Sequence, residues 1–403
     1  MLKGKNIIFI SSIDWDFVWQ HPQEISVRLA EAGNRVLFVE NTGVRAPRLR
    51  DAVRVVHRLK LWARSLGSLG VRQVRPNLYV CSPLVLPPFG PSWQRQINRR
   101  LLLPLVGRTA VTLGMSDPVL WTHLPTDTAI ELIRLLRTPQ SIVVYYCIAD
   151  FSRLTPRALQ LKQSERALVE TSDVVFANSV QLGEHCKQWR DNVHVFPPGV
   201  NLSAFRPDET LRSEEISDWG NGSRRSSATL STRPRAIIGY VGGLHRHVDV
   251  ELVARMARAR PDWRWVFVGP VLVPLRDLKK LPNVCFLGQR PHEELVKHIR
   301  SFDVCIVPYL DNPETSTIVP VKINEYLAAG KPVVSTELPA VREFNHRHDV
   351  LITTAPRPAA FLQAIEDSLQ APNGASIIAR RREVAATSDW QSRLEAMSRL
   401  IQA

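Results

Sequence analysis

The feature that most constrains this chain is the alternation of short apolar runs with longer segments of helical spacing. Short apolar runs suit strands that are buried on both faces of a sheet, and segments with a period of 3.6 suit the helices that cover them. The series opens with an apolar run at residues 6–11, a helical segment at 23–32 and a second run at 35–40. This βαβ opening predicts a parallel, doubly wound sheet.

The alternation occurs twice, and a polar stretch that is rich in Ser, Arg, Asp, Glu and Gly separates the two series. With 403 residues, the chain is also longer than a usual single domain. The sequence therefore predicts an N-terminal Rossmann-like domain over residues 1–205 and a flexible linker or surface loop over 206–234. A C-terminal Rossmann-like domain over 235–385 and a C-terminal helix over 386–403 complete the prediction.

The charge balance favours anionic partners. Lys and Arg number 52 against 38 Asp and Glu, which gives a formal net charge of +14. Such a balance suits nucleic acid, an acidic membrane surface or phosphorylated substrates. Because no recognisable nucleic-acid-binding module accompanies the charge, we do not expect a nucleic-acid partner.

Much of the positive charge lies at residues 45–108, where many arginines accompany a single acidic residue, Asp51. A helix over residues 52–66 would have apolar residues along one side and basic residues around the rest. Such a helix suits an anionic lipid surface or a pyrophosphate-linked lipid acceptor. The alternative is that the apolar side packs on the domain and the charges are solvated. The one-sided charge favours contact with lipid or acceptor.

Cysteine usage and hydropathy bear on the compartment. The five cysteines are scattered and form no Cys-x-x-Cys pair, which argues against a disulfide framework and against a zinc site. No stretch approaches the roughly 20 apolar residues that span a bilayer. We therefore expect a cytoplasmic protein, soluble or peripheral on the inner face of the cell membrane, without a metal.

The most informative stretch for chemistry lies at residues 308–336. A strand predicted to end at Pro308 is followed by a polar loop and by Pro320, which a first helical turn tolerates. The helix predicted over residues 321–329 would direct free backbone N–H groups and its positive dipole end at a phosphate. Hydroxyl donors precede this helix at Thr315, Ser316 and Thr317.

Lys322 and Glu325 lie three residues apart and therefore share one face of the predicted helix. They could form a surface ion pair worth a few tenths of a kcal/mol, about 0.2–0.5. The position of the helix after a strand favours ligand binding instead. In that interpretation Lys322 contacts a diphosphate and Glu325 contacts a ribose diol.

Several segments resemble the retaining GT4 family of glycosyltransferases, also called glycosyl transferase group 1. Residues 320–334, Pro-x-Lys-x-x-Glu-Tyr-Leu-Ala-Ala-Gly-Lys-Pro-Val-Val, resemble the donor-site helix of that family. The run Gly-Tyr-Val-Gly-Gly-Leu at 239–244 is similar to another part of its C-terminal domain. Further similar segments lie at 260–270, 282–288 and 197–205, and the segment at 14–23 resembles a subgroup that builds polysaccharides.

The resemblance implies an α/β fold of the GT-B type, with two doubly wound parallel-sheet domains that face each other across a cleft. It implies a hexosyltransferase-type enzyme that moves a sugar from a nucleotide-sugar donor to a glycan or lipid-linked acceptor. It also implies retention of configuration, no cofactor and no metal. The pathway implied is the biosynthesis of polysaccharide or of the cell envelope.

The residues and the resemblance together assign roles to individual positions. The residues expected to be catalytic are His123, Asp150 and Lys322. The residues expected to bind the donor are Glu325, Thr315, Thr317, Gly242, Gly243 and Arg246. For His123, a packed ring without a catalytic part is an equal alternative.

Three positions depart from the family pattern. Thr317 occupies the place of a family carboxylate, and Gly243 and Val248 occupy the places of its Arg and Lys. His245, Arg246 and His247 lie in the same loop and are candidates for the missing cation.

These departures leave room for a catalytically weak GT-B scaffold or binding protein. A sugar-nucleotide epimerase is the other enzymatic alternative, and it would need a water-activating carboxylate that the sequence does not identify.

Overall fold

The structure is a computed structural model that describes residues 1–43, 70–205 and 234–403. The helix predicted over 52–66, and all but one residue of the predicted linker, lie outside the described residues. The chain divides into two compact units, and the first consists of Met1–Pro197 together with Gln391–Ala403. The second unit is Pro198–Trp390.

The first unit is built on an eight-stranded sheet with the strand order β3-β4-β2-β1-β5-β6-β7-β8. All neighbouring strands are parallel except β3 and β4, which are antiparallel. The strands are β1 Asn6–Ile10, β2 Arg35–Val39, β3 Val71–Arg75, β4 Leu78–Cys81, β5 Val119–Thr122, β6 Ile142–Cys147, β7 Val174–Ala177 and β8 Val193–Val195.

Helices follow most of these strands, and polar side chains begin several of them. Thr126 and Ser179 each accept a hydrogen bond from a backbone N–H of the first helical turn, which satisfies a donor that the helix leaves free. The helices of this unit are α1 His21–Glu31, α2 Ser92–Ile97, α3 Leu103–Thr112, α4 Asp127–Leu136, α5 Ala158–Thr171 and α6 Val180–Lys187. A π-helical turn, Asn98–Leu102, joins α2 to α3.

The second unit is built on a six-stranded sheet with the order β11-β10-β9-β12-β13-β14, and all its strands are parallel. The strands are β9 Ala236–Val241, β10 Trp263–Val268, β11 Val284–Gly288, β12 Val304–Val307, β13 Val333–Thr336 and β14 Ile352–Thr354. The helices are α7 Val250–Ala259, α8 Leu295–Ser301, α9 Lys322–Ala328, α10 Pro339–His348, α11 Pro358–Gln370 and α12 Ala375–Ala386. The prediction of two parallel-sheet α/β domains is confirmed.

The order of strands in the second sheet reverses between β9 and β12. In an open parallel sheet such a switch point leaves a crevice at the carboxyl ends of the strands, where ligands usually bind. The loops after β9 and β12 are therefore the places to look for a site in this unit.

The extent of the units differs from the predicted domains at two places. Residues 198–205 belong to the second unit, because Val200 exchanges backbone hydrogen bonds with Ser388 and Trp390, and Phe205 joins the core of that unit. The C-terminal helix, Trp390–Gln402, joins the first unit from Gln391 onward. The Ser398 hydroxyl accepts a hydrogen bond from the backbone N–H of Leu2 at 2.9 Å.

Among the helices that the structure describes, none is both long enough and apolar enough to cross a membrane.

The core of the second unit leaves no space beside Gly239 in the middle of β9. A Cβ atom at this position would lie 1.9 Å from Cδ2 of Phe302. We therefore expect Gly239→Ala to lower the free energy of unfolding by about 1–3 kcal/mol, as overpacking of a core does. The measurement is urea unfolding, monitored by tryptophan fluorescence.

The matched control is Gly107→Ala in α3, where the added Cβ would lie 3.7 Å from Leu135 and make an ordinary contact. Because alanine favours a helix, we expect no loss of stability there, and a gain of up to about 1 kcal/mol. Equal stabilities of the two variants would contradict the packing described for β9.

Candidate functional site

Two loops at the switch point of the second sheet are bonded to each other. The backbone N–H of Leu310, after β12, donates to the carbonyl of His247, after β9, at 2.8 Å. The N–H of Asp249 donates to the carbonyl of Pro308 at 2.9 Å. The two loops therefore form one structural piece at the carboxyl ends of the central strands.

The loop after β9 begins with a turn at Gly242 and Gly243, called here the glycine turn. This turn lies close to Gly269, after β10, and to Lys322. Gly242 and Gly269 have φ angles of +132° and +146°, which side chains rarely allow. A Cβ at Gly269 would lie 2.2 Å from the carbonyl oxygen of Gly242, and a Cβ at Gly242 would lie 3.1 Å from Cε of Lys322. Only glycine at these two positions allows this approach.

Lys322 begins α9 and directs its ammonium group at this turn. Its Nζ donates to the Tyr309 hydroxyl at 2.7 Å and lies 5.1 and 5.0 Å from the ring centres of Tyr240 and Tyr309. Among the described residues, no carboxylate forms an ion pair with Lys322. Glu325, three residues later on the same helix, does not pair with it either. The surface ion pair considered from the sequence is therefore not formed, and the cation remains available to an anion.

Helix α9 is itself fixed to the end of β9. The Tyr326 hydroxyl accepts a hydrogen bond from the backbone N–H of Val241 at 2.8 Å, and Tyr326 is fully buried. This bond sets the position of Lys322 relative to the glycine turn. Glu325 lies on the same helix and is partly exposed.

The loop after the glycine turn contains the three residues considered as substitute cations. Burial, with the positive charges of Lys322, His247 and Arg246, lowers the pKa of His245 to about 3. Burial and the charge of Arg246 also lower the pKa of His247. The guanidinium of Arg246 lies 3.3 Å from the Glu314 carboxylate. Of these three residues, only Arg246 brings a permanent positive charge to the loop.

The hydroxyl donors predicted before α9 differ in what they contact. Thr315 is fully buried, and its hydroxyl donates to the carbonyl of Leu310 at 2.6 Å and accepts from the N–H of Asn312 at 3.1 Å. These bonds stabilise the loop after β12, to which Thr315, Leu310 and Asn312 all belong. Thr317 is partly exposed, and its role stays a prediction. Gly243, in the glycine turn, accepts a hydrogen bond from the Tyr240 hydroxyl at 3.1 Å.

In the first unit, His123 follows β5 and is completely buried. Its ring lies among those of Phe9, His21 and Tyr146, with centres 4.9, 5.4 and 5.4 Å away. Neither ring nitrogen of His123 has a hydrogen-bond partner among the described residues, and the same holds for Nε2 of His21. The structure thus groups His123 with a second histidine, His21, at the start of α1.

Both histidines are held in the neutral form. Burial lowers the pKa of His21 from its ordinary 6.5 to about 4. Burial, together with the nearby His21, lowers the pKa of His123 well below its ordinary value. Neutral imidazoles with unbonded nitrogens can exchange hydrogen bonds with hydroxyl groups.

Asp150 follows β6 and is already committed to neighbouring donors. It accepts hydrogen bonds from the N–H and hydroxyl of Ser152 at 3.2 and 2.5 Å, and from Nε of Arg153 at 2.7 Å. Burial raises its pKa, but the bonds from Ser152 and Arg153 outweigh burial and leave the pKa below the ordinary value. A carboxylate so held suits the orientation of a group better than the acceptance of a proton.

Sequence reasoning missed Glu40, which follows β2 and is buried. Its carboxylate accepts from the backbone N–H of Trp15 at 2.9 Å and from the Ser82 hydroxyl at 2.6 Å. Glu40 therefore fixes the loop that leads from β1 to His21. An acidic residue at the end of an otherwise apolar run was the signal for it. Tyr240, inside β9, and Tyr309, two residues after β12, were also missed.

Within the described residues, no group of three or more potential metal ligands occurs. Lys322, Gly242 and Gly243 come together in the second unit, whereas His123 and Asp150 belong to the first. The catalytic and binding roles given to these residues from the resemblance stay predictions.

The low pKa of His21 makes stability depend on pH with a defined sign. Between pH 6.5 and about 4, the unfolded chain binds a proton at His21 that the folded chain does not. Stability therefore falls as the pH falls through this window and is unaffected above it. We expect His21→Gln to show a smaller fall in melting temperature between about pH 7.5 and about pH 5.

The control is a comparison of the wild type and His21→Gln at about pH 8. At that pH His21 is neutral in both the folded and the unfolded chain, so the two proteins differ only in packing. An equally steep fall in the variant would rule out His21 as a titrating group in this window.

Comparisons with known proteins bear on the fold and on the family of the second unit. Residues 235–371 match the family described as Glycosyl transferases group 1. The chain is 26% identical over 238 residues to a putative teichuronic acid biosynthesis glycosyltransferase, TuaH, of Bacillus subtilis (strain 168). That match covers 57% of this chain and 57% of the relative, so the chain spans somewhat more than half of the relative's length.

Solved structures share the fold over nearly the whole chain. Sucrose-phosphate synthase from Thermosynechococcus elongatus superimposes with a TM-score of 0.67 at 18% identity, covering 99% of this chain and 98% of that one. Anabaena Alr3699/HepE, in complex with UDP, gives a TM-score of 0.62 at 14% identity over 99% of each chain. Both units thus share the GT-B fold of these structures, and residues 235–371 of the second unit match the glycosyl transferases group 1 family.

Proposed function

We propose that this protein transfers a sugar from a nucleotide-sugar donor to a hydroxyl of a glycan or lipid-linked acceptor. The donor would bind in the second unit, at the loops that follow β9 and β12. The match of residues 235–371 to the glycosyl transferases group 1 family supports the reaction class. The unpaired Lys322 at the glycine turn is the observation on which the location of the donor depends.

The glycine turn and Lys322 fit the diphosphate of such a donor. The turn has no side chain at Gly242 or Gly243, so a phosphate can approach its backbone closely. Lys322 supplies a positive charge that no described carboxylate neutralises. When the bond to the sugar breaks, negative charge grows on the leaving diphosphate, and a cation fixed in advance stabilises that charge.

Glu325 fits the ribose of the donor. It lies three residues after Lys322 on α9, so a nucleotide held by Lys322 would extend along the same helix face. An ionised carboxylate accepts hydrogen bonds from two neighbouring hydroxyls. The UDP in the Anabaena Alr3699/HepE structure makes a uridine nucleotide one of the donors to be tested.

The first unit would bind the acceptor, and Asp150 would orient the hydroxyl that reacts. A catalytic part for His123 belongs to the same proposal. Retention of configuration and independence of metal ions belong to the same proposal. The name of the Bacillus subtilis relative supports a place in the biosynthesis of a cell-envelope polysaccharide.

The proposal extends to location. A net charge of +14 and a lipid-linked acceptor both suit a cytoplasmic protein that is peripheral on the inner face of the cell membrane. An anionic lipid surface would then be the partner, rather than nucleic acid.

Lys322→Met tests the donor site. In thermal-shift experiments without metal, we expect one of UDP, GDP, ADP or dTDP to raise the melting temperature of the protein. A ligand at about one hundred times its dissociation constant stabilises by about 2.7 kcal/mol. Lys322→Met should lose most of this shift, because the ammonium is the cation at the diphosphate position.

The matched control is Lys279→Met, which removes an exposed lysine of the same unit and should keep the shift. The proposal fails if no nucleotide stabilises the protein, or if Lys322→Met binds as tightly as the wild type. Either result would favour a scaffold that has kept the fold without the activity.

Glu325→Gln separates the ribose contact from the diphosphate contact. We expect the variant to bind the nucleoside diphosphate about tenfold more weakly, since hydrogen bonds to a charged group contribute about 1.5–3 kcal/mol. Its affinity for inorganic pyrophosphate should be unchanged. Isothermal titration calorimetry measures both.

Glu251→Gln, on the exposed side of α7, is the control and should leave both affinities unchanged. A loss of affinity for pyrophosphate and nucleotide alike in Glu325→Gln would place Glu325 away from the ribose.

A further inference from the structure

The loop between β1 and α1 places aromatic side chains at the surface of the first unit. Residues 11–20 lie outside any helix or strand, and they include Trp15, Phe17 and Trp19. Phe17 is 39% exposed, and both tryptophans are partly exposed. Exposed aromatic side chains that are concentrated in one loop mark an interaction site. These three residues are called here the aromatic platform.

The two tryptophans of the platform rest on the core of the unit. The rings of Trp15 and Trp19 pack edge to face, with their centres 6.0 Å apart. Trp15 packs in the same way on Phe38 of β2, which is fully buried, at 5.1 Å. Edge-to-face pairs of this kind stabilise beyond the area that they bury. The platform is therefore anchored in place although part of its surface remains in contact with solvent.

Three buried polar side chains fix the conformation of this loop. Glu40 accepts a hydrogen bond from the backbone N–H of Trp15 at 2.9 Å, and Nε2 of Gln23 donates to the carbonyl of Trp15 at 3.2 Å. Glu24 accepts from the indole N–H of Trp19 at 3.0 Å. A loop that is already ordered loses little conformational entropy when a ligand binds. The aromatic platform is therefore preorganised.

The charge of the loop fits a neutral, hydroxyl-bearing ligand. Residues 11–20 contain two carboxylates, Asp14 and Asp16, and no Lys or Arg, in a chain whose net charge is +14. Carboxylates oppose the approach of an anionic lipid surface or of nucleic acid. A pyranose ring has an apolar face of C–H groups, which fits an aromatic side chain, and hydroxyls that donate to carboxylates. Asp16 pairs with Arg72 at 2.6 Å, and its carboxylate still has room to accept further bonds.

We propose that the aromatic platform binds a neutral sugar ring of the acceptor by stacking. That this sugar is an acceptor rests on the function proposed above, in which the donor binds to the second unit. The proposal narrows the acceptor to one that presents a sugar ring, rather than only a lipid chain, to the first unit. The loop leads directly to His21, whose ring centre lies 5.4 Å from that of His123. A sugar on the platform would therefore lie beside the histidine to which a catalytic part is given.

The test is saturation-transfer difference NMR of the full chain with the methyl glycosides of glucose, galactose, N-acetylglucosamine and N-acetylgalactosamine, without a nucleotide. We expect at least one glycoside to bind, with the strongest transfer to the C–H protons of one ring face. Phe17→Ala and Trp19→Ala should each weaken binding about fivefold, because each removes an aromatic contact. Trp19→Phe should keep most of the affinity, because it keeps an aromatic face. The matched control is Leu159→Ala, an exposed apolar residue of α5, which should bind normally.

The nucleotide-induced thermal shift of Phe17→Ala should equal that of the wild type, which also shows that the variant is folded. Sugar binding without a thermal shift by any nucleotide would refute the proposed function and leave the aromatic platform as a sugar-binding site. The platform proposal is overturned if none of the glycosides binds, or if Phe17→Ala and Leu159→Ala bind equally well. It is also overturned if the same residues bind vesicles while sugar binding is absent.

Discussion

The candidate donor site depends on how the ammonium of Lys322 is held without a carboxylate. A partly buried cation is costly unless polar groups replace the water it loses. Here the Tyr309 hydroxyl accepts one hydrogen bond, and the ring of Tyr240, whose centre lies 5.1 Å away, adds attraction of the order of 0.5–1 kcal/mol. These neutral groups hold the ammonium in place but leave its charge uncompensated. An anion that enters the glycine turn would complete the compensation, which is why we place the diphosphate there.

The surrounding structure maintains this arrangement from three directions. Tyr309 is fixed because its carbonyl accepts from the Thr336 hydroxyl at 2.8 Å and its backbone pairs with Val248. Gly269 fits against Gly242 only because neither has a side chain. Tyr326 ties α9 to β9. The position of one ammonium group therefore depends on β9, β10, β12 and β13 together, and changes far along the sequence would move it.

Periodicity and turn residues were sufficient to predict both α/β domains, because burial of the strands on both faces leaves a clear pattern in the sequence. The same patterns do not report electrostatics. The spacing of Lys322 and Glu325 allowed an ion pair that the structure does not form, and His245 was a candidate cation until burial showed it to be neutral. Thr315 had the right chemistry for a ligand, but its hydroxyl is used within its own loop. Glu40 acts through tertiary contacts with Trp15 and Ser82 that no local pattern contains.

Burial and hydrogen bonding account for two departures from the family pattern, at Val248 and Gly243. Val248, in the place of a family lysine, is buried and bridges to Tyr309, so a charged side chain there would disrupt the support of Lys322. Gly243 stands in the place of a family arginine, and its carbonyl accepts a hydrogen bond from the Tyr240 hydroxyl. The ring of Tyr240 faces the Lys322 ammonium. Both replacements thus belong to the arrangement that holds Lys322 by aromatic side chains. The positive charge that the family distributes over several residues would then depend on Lys322, with Arg246 at the edge of the loop. For this reason a single substitution at Lys322 should have a larger effect here than in a relative with all three cations.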